Sequence, residues 1–174
     1  MKLVIDACVL VPVLTRALVL RAIAVDNILP IWSAQILGEW KHTIDRLGDA
    51  ESAAVSTEIL LMNSRYPSAL VEVPEGELDH YHLPDPQDRH VLGAGVIAQA
   101  DTILTFNTRD FPIRTLAEFG LLRRHPDEFL LETAQSQTDV FEEILDDASR
   151  LSGRSRRALL RSSHLPRLSK FLTA

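Results

Sequence analysis

A nearly continuous apolar stretch covers residues 3–25, and three charged residues interrupt it: Asp6, Arg16 and Arg21. A membrane-spanning helix needs about 20 consecutive apolar residues, and the apolar region of a signal peptide does not begin with a carboxylate. We therefore expect this stretch to be neither a membrane span nor a signal peptide, and we assign it to the core of a globular domain. The single cysteine, Cys8, cannot form an internal disulfide, which favours a reducing compartment and a cytoplasmic location.

Strand-like and helix-like segments alternate along the chain up to about residue 125. Residues 2–5, 70–73 and 102–105 have the short apolar character of buried strands. Helical patterns cover residues 9–25, 34–48 with Ser33 as the N-cap, 50–64, 89–100 and a short segment up to 120. This alternation predicts an α/β fold around a mostly parallel sheet. The later pattern is helical with breaks at Gly153 and Pro166, so we expect an α/β domain over 1–125 and a helical, basic extension over 126–174.

Charge is divided unevenly between the body and the tail of the chain. Residues 1–147 contain 11 basic and all 24 acidic residues, whereas residues 148–174 contain seven basic residues and no acidic one. An acidic body does not attract nucleic acid by its overall field, so a nucleic-acid substrate would require a metal ion or the basic tail to neutralise the site. The candidates for RNA contact are Arg154, Arg156, Arg157 and Arg161. The alternative is that these arginines form only a solvated helix face.

Acidic residues stand where an α/β sheet usually builds its functional site, outside the carboxyl ends of the strands. Asp6 directly follows the first predicted strand, Asp110 follows the strand over 102–105, and both Asp85 and Asp88 precede the buried helix. Glu39 lies at the edge of an apolar helix stripe, from which it can point inward. Each residue could instead be a helix cap or a solvated side chain. At Asp6, however, a carboxylate after a buried strand is costly unless it is paired or bound to metal.

Several carboxylates in one cleft repel each other, and a bound cation offsets that repulsion. Ligand sets that contain only oxygen suit Mg²⁺ or Mn²⁺, ions that retain water molecules and bridge to substrate phosphates. The chemistry expected of such a site is metal-assisted hydrolysis of phosphodiester bonds, which leaves little for a nucleophilic side chain to do.

Four segments, taken in order, resemble the PIN domain family, of the type found in VapC-like bacterial toxins. They are Val4–Leu10 (VIDACVL), Trp32-Ser33 with Ile36–Glu39 (ILGE), His82–Leu92 (HLPDPQDRHVL) and Leu104–Pro112 (LTFNTRDFP). The resemblance implies a three-layer α/β/α fold and a ribonuclease that depends on Mg²⁺ or Mn²⁺. It places the catalytic carboxylates at Asp6, Glu39, Asp88 and Asp110, with Asp6, Asp88 and Asp110 as metal ligands and Asp85, Thr105 and Asn107 in support. In a toxin it also implies an RNA substrate and an antitoxin that covers the site; we further allow for a homodimer.

One position departs from the family's usual pattern, and another leaves a choice open. Cys8 stands where many PIN domains have Asn, Ser or Thr in support of the metal site. Asp85 or Asp88 could be the third carboxylate, and we prefer Asp88 because it immediately precedes the buried helix. A haloacid-dehalogenase-like phosphatase also begins with Asp after a strand, but Cys8 occupies the place of its acid/base Asp. The non-enzymatic alternative is a PIN-like scaffold that binds RNA or protein without cutting.

Overall fold

The computed structural model describes residues 1–173, and the last residue of the predicted extension lies outside them. The strands are β1 Lys2–Ile5, β2 Leu29–Ser33, β3 Leu70–Val71, β4 Thr102–Leu104 and β5 Leu122–Arg124. The α-helices are α1 Ala7–Leu10, α2 Val13–Val25, α3 Ala34–Asp45, α4 Asp49–Arg65, α5 Arg89–Ala98, α6 Ile113–Glu118, α7 Pro126–Ser136, α8 Glu142–Ser152, α9 Arg156–Ser162 and α10 Pro166–Leu172. Short 3₁₀ helices cover Glu75–His80, Pro86–Asp88 and Thr138–Phe141.

The five strands form one sheet in the order β3-β2-β1-β4-β5, and every neighbouring pair is parallel. This confirms the predicted α/β fold. Crossovers between parallel strands are right-handed, and for this strand order that rule puts the helices between β1 and β3 on one face of the sheet and α5 and α6 on the other, which gives three layers. The strand order reverses between β1 and β4, so the loops that follow these two strands diverge and leave a crevice at the carboxyl edge.

Two strands and one helix boundary differ from the sequence-based predictions. The predicted helix over 9–25 is two helices, because Pro12 has an extended backbone and lacks the N–H that a continuous helix needs. The strand β2 was not predicted as a strand, although its Ser33 caps α3 as expected, with its Oγ accepting from the Ile36 N–H at 3.2 Å. The strand β5 also escaped prediction, because an edge strand with two arginines has no buried apolar pattern.

The N-terminal apolar stretch lies in the core, as predicted. Leu3, Val4 and Ile5 have no solvent exposure. Arg16 is also buried, and its guanidinium donates to both carboxylate oxygens of Glu58 at 2.6 and 2.7 Å, so a paired charge replaces the lost solvation. Among residues 1–173, no helix is both long and apolar enough to cross a bilayer.

Helix α5 lies directly against the sheet and contacts β1, β2 and β4. Its glycines permit this close approach, since a Cβ atom at Gly95 would lie 3.1 Å from a methyl carbon of Leu121. The helix begins immediately after Asp88. The packing of α5 therefore sets the position of the Asp88 carboxylate relative to the ends of β1 and β4.

The C-terminal helices share the core of the body. Helix α7 packs against α2, and α10 packs against α7. Leu160, Leu165 and Leu168 have no solvent exposure. The buried Asp127 accepts the backbone N–H groups of Arg167 and Leu168, both at 2.9 Å, and so holds the start of α10 against α7. The breaks occur as predicted, since Gly153 ends α8 with a positive φ of 67° and Pro166 opens α10.

Candidate active site

The predicted acidic residues converge at the crevice between β1 and β4. Asp6, Glu39, Asp88 and Asn107 line one cleft of about 430 Å³. Asp110 joins the group from the loop after β4, because one oxygen each of Asp85, Asp88 and Asp110 lies within 4.8 Å of the others. Residues that are distant in sequence therefore form one acidic cluster, which consists of Asp6, Glu39, Asp85, Asp88 and Asp110.

Asp6 is held in place by its neighbours on both strands of the crevice. Its side chain is 6% exposed, and its Oδ2 accepts the Thr105 hydroxyl at 2.6 Å. Its Oδ1 accepts the Cys8 backbone N–H at 3.4 Å and so caps α1. Thr105 is itself oriented, because its Oγ1 accepts the Asn107 backbone N–H at 2.9 Å. This network fixes the orientation of the Asp6 carboxylate at the end of β1.

Cys8 takes part in the same network through its thiol. Its Sγ donates to Asp6 Oδ2 at 3.1 Å and accepts the Phe106 backbone N–H at 3.4 Å. Burial, followed by the charge of Asp6, raises the pKa of the Cys8 thiol from 9.0 to about 12. The sulfur therefore keeps its proton at neutral pH and can orient the carboxylate, as a hydroxyl or an amide would at this position.

Asp88 is the most strongly perturbed carboxylate of the acidic cluster. Its Oδ2 is buried and has no hydrogen-bond partner among residues 1–173. Burial, reinforced by the charges of Asp6, Asp85 and Asp110, raises the pKa of Asp88 from 3.8 to about 6. A buried oxygen without a donor, surrounded by other carboxylates, lacks a positive charge. A hard divalent cation with oxygen ligands fits that requirement.

Asp85 and Asp110 are each tied at one oxygen. Asp85 Oδ1 accepts the Gln87 backbone N–H at 2.9 Å and caps the 3₁₀ helix Pro86–Asp88. Asp110 Oδ2 accepts the side-chain amide of Asn107. The other oxygen of each carboxylate has no such bond within the described chain, so both remain suitable as metal ligands alongside Asp88. Both aspartates considered for the third position are therefore in the acidic cluster.

Glu39 has a buried partner that sequence reasoning missed. His90 Nε2 lies 2.8 Å from Glu39 Oε1, and the histidine is 1% exposed whereas the Glu39 side chain is 44% exposed. The pair lacks favourable hydrogen-bond angles, and neither ring nitrogen has another partner within residues 1–173. The available signal was the position of His90, which follows Asp88 by two residues on a buried helix. Its buried ring lies against the carboxylate that α3 contributes to the acidic cluster.

The four tail arginines proposed for RNA contact have different surroundings. Arg156 pairs with Asp146 at 2.5 Å. Arg154 donates to a backbone carbonyl at the start of α9 at 3.3 Å, and Arg157 is exposed. Arg161 lines a separate and larger cleft beside the loop that follows β4. The structure thus brings one of the four into a cleft next to the acidic cluster.

With this geometry established, comparisons with known proteins identify the family. The family model of the PIN domain matches residues 2–109, more than half of the chain. The chain belongs to the PIN domain family. The family recognised from the four sequence segments is therefore confirmed. The match contains four of the five residues of the acidic cluster and ends one residue before Asp110.

One similar protein is named "Putative ribonuclease VapC50" and comes from Mycobacterium tuberculosis. It is 32% identical to this PIN domain protein over 98 residues, which cover 56% of this chain and 53% of the relative. The matched region thus spans about half the length of that relative. The comparison with solved structures gives no match. The C-terminal helices α7 to α10 lie outside the family match.

Proposed function

We propose that this PIN domain protein is an endoribonuclease that hydrolyses RNA phosphodiester bonds with Mg²⁺ or Mn²⁺, and that it is the toxin of a toxin–antitoxin system. Membership of the family and the name of the similar VapC protein support a nuclease. The single observation that carries the metal requirement is the buried, unpartnered Oδ2 of Asp88 among three other aspartates.

The residues of the acidic cluster have separable roles in this proposal. Asp6, Asp88 and Asp110 would hold the ion. The oxygens of Asp85, Asp88 and Asp110 lie within 4.8 Å of one another, and Asp6 lines the same cleft as Asp88, which places Asp85 beside the proposed ligands. When bound, such an ion lowers the pKa of a water molecule and stabilises negative charge on a phosphate. Glu39 is the most exposed carboxylate of the set, and its Oε2, the oxygen not paired with His90, would accept a proton from water.

The supporting residues keep these carboxylates in place. The Thr105 hydroxyl and the Cys8 thiol both donate to Asp6 Oδ2, so that oxygen cannot rotate away from the crevice. The Asn107 amide does the same for Asp110. Preorganisation of this kind lowers the cost of bringing water and phosphate into reacting geometry.

The test is an RNA cleavage assay in which Mg²⁺ or Mn²⁺ is titrated into metal-free protein. Wild type is expected to cleave only with added ion, and Asp88→Asn should abolish cleavage. The matched control is Asp139→Asn, which removes the same charge from an exposed position outside the acidic cluster and should cleave normally. Cleavage by wild type in excess chelator, or unchanged cleavage by Asp88→Asn, would refute the proposal. RNA binding without cleavage under all conditions would instead support the inert scaffold.

The wider biological setting is part of the same proposal. We infer an antitoxin that covers the acidic cleft, because the chain resembles VapC-like toxins. We further propose a cytoplasmic location, which the single cysteine favours, and allow for a homodimer. We also propose that residues 1–125 carry the catalysis and that residues 126–174 contribute basic contacts to the RNA. Co-expression with the neighbouring gene product and analysis of the purified complex would test the partner.

A further inference from the structure

A second cleft lies on the other side of the loop that carries Asn107 and Asp110. It has a volume of about 1040 Å³, compared with about 430 Å³ for the acidic cleft. Thr108 lines the second cleft, while its neighbour Asn107 lines the first. The two clefts are therefore separated by the loop after β4. The opposite wall of the second cleft comes from the C-terminal helices, outside the family match.

Three rings form a cluster where this cleft meets the loop. Phe106 packs edge-to-face against His125, with ring centroids 5.1 Å apart, and against His164 at 6.1 Å. Both histidines line the cleft. The backbone N–H of Phe106 donates to Cys8, which contacts Asp6. The ring cluster is thus connected to the catalytic carboxylates by two consecutive contacts.

The residues that line this cleft carry a net positive charge, whereas the body of the chain is net negative. Arg161 has no carboxylate within ion-pair distance in the described part of the chain. Arg167 pairs with Glu128 at 2.5 Å, and the Asp127 carboxylate is occupied by backbone N–H groups. Arg123 donates to the backbone carbonyls of Thr108 and Phe111, so no carboxylate neutralises it directly.

His125 is held by a hydrogen bond to its ring, whereas His164 is placed by its backbone conformation. Burial lowers the pKa of His125 below its usual value of 6.5, so the ring is neutral at pH 7. Its Nδ1 accepts the Asp127 backbone N–H at 3.1 Å, which leaves the Nε2 proton as a donor. His164 has a positive φ of 58°, a conformation that is unfavourable for a residue with a Cβ atom. His164 follows the end of α9, where the Leu165 N–H donates to the Leu160 carbonyl at 3.0 Å, so this φ terminates the helix and leaves the side chain exposed beside the cleft.

We propose that the second cleft binds the single-stranded RNA next to the cleavage point, with bases against the His125 and His164 rings, which Phe106 supports, and a phosphate on Arg161. Flat rings beside unpaired cations are the combination that proteins use for single strands. The exposed apolar lining, which includes Ile113 and Leu122, suits bases better than it suits a fully charged duplex backbone. The inference rests on the proposed ribonuclease function and specifies how its substrate is held.

Binding is measured by fluorescence anisotropy with a labelled, unstructured RNA of about 12 nucleotides, in excess chelator so that no cleavage occurs. Arg161→Glu should raise Kd about tenfold at low salt and reduce the slope of log Kd against log salt by about one. His164→Asn, which tolerates positive φ, should raise Kd about fivefold or more through lost stacking. The matched control is Lys170→Glu, a charge reversal in the same tail but outside the cleft, which should change Kd much less.

Circular dichroism and melting temperature establish that each variant is folded. The inference is overturned if Arg161→Glu and His164→Asn both bind RNA as wild type does, or if Lys170→Glu loses as much affinity as Arg161→Glu. It is also overturned if the variants lose a protein partner but keep their RNA affinity. A parallel cleavage assay of wild type with Mn²⁺ separates the two proposals. Cleavage with unchanged binding by the variants contradicts only the cleft, whereas binding that depends on the cleft without any cleavage contradicts only the nuclease.

Discussion

Asp88→Asn is expected to stabilise the metal-free protein while it removes the proposed activity. The carboxylate is half-buried, one of its oxygens has no hydrogen-bond donor, and burial together with the charges of three other aspartates raises its pKa. An amide carries no charge and is nearly the same size. The substitution therefore removes electrostatic repulsion without opening a cavity.

The pKa values define both the sign and the size of the effect. In the folded protein Asp88 has a pKa of about 6, against 3.8 for an ordinary aspartate, so the fold binds the proton more tightly than the unfolded chain does. Stability is therefore lost as the pH rises from 3.8 through 6, and the full penalty applies above that window. The rise in pKa corresponds to about 3 kcal/mol. Because solvent reaches part of the side chain, we expect about 1–2 kcal/mol.

Urea denaturation in excess chelator measures this free energy of unfolding. Asp88→Asn should be more stable than wild type by about 1–2 kcal/mol at about pH 7.5, and nearly equal to it at about pH 4. The exposed control Asp139→Asn should differ from wild type by less than about 0.5 kcal/mol at either pH. When Mn²⁺ replaces the chelator, it should stabilise wild type more than Asp88→Asn. A variant that is no more stable than wild type at about pH 7.5, or a gain that does not depend on pH, would refute the argument.

Three further predictions concern the supporting contacts, the ion and the tail. Asn107→Ala should lower the cleavage rate about tenfold, less than Asp110→Asn does, because the Asn107 amide only orients the Asp110 carboxylate. Initial cleavage rates at saturating Mn²⁺ measure the two losses, and equal losses would contradict this role of Asn107. The melting temperature of wild type should rise with Mn²⁺ and that of Asp88→Asn much less, since an ion that binds only the folded state stabilises it; a constant wild-type value would argue against a metal site. Leu168→Ala should lower the free energy of unfolding, measured by urea denaturation, by about 3 kcal/mol, because the Leu168 side chain is fully buried. Leu151→Ala, at an exposed position, should lower it little. Similar losses for both variants would mean that α10 does not contribute to the core.

Much of the framework could be predicted from the sequence because it depends on neighbouring residues. A buried strand that ends in Asp6, a helix capped by Ser33 and a break at Gly153 each follow from local backbone chemistry. The acidic candidates were also predictable, since parallel strands place their carboxyl ends at one edge. Local patterns did not predict β5, because its polar sequence has no strand signal. It is a strand because its backbone pairs with β4.

The properties of the acidic cleft were decided by the tertiary structure, because they depend on groups brought together from distant parts of the chain. The pKa of Asp88 rises through burial and through charges from β1 and from the loop after β4. The Glu39–His90 contact joins two helices, and the ring cluster around Phe106 joins that loop to residues beyond the family match. Electrostatic energies and ring contacts vary steeply with distance, and the sequence alone does not contain those distances.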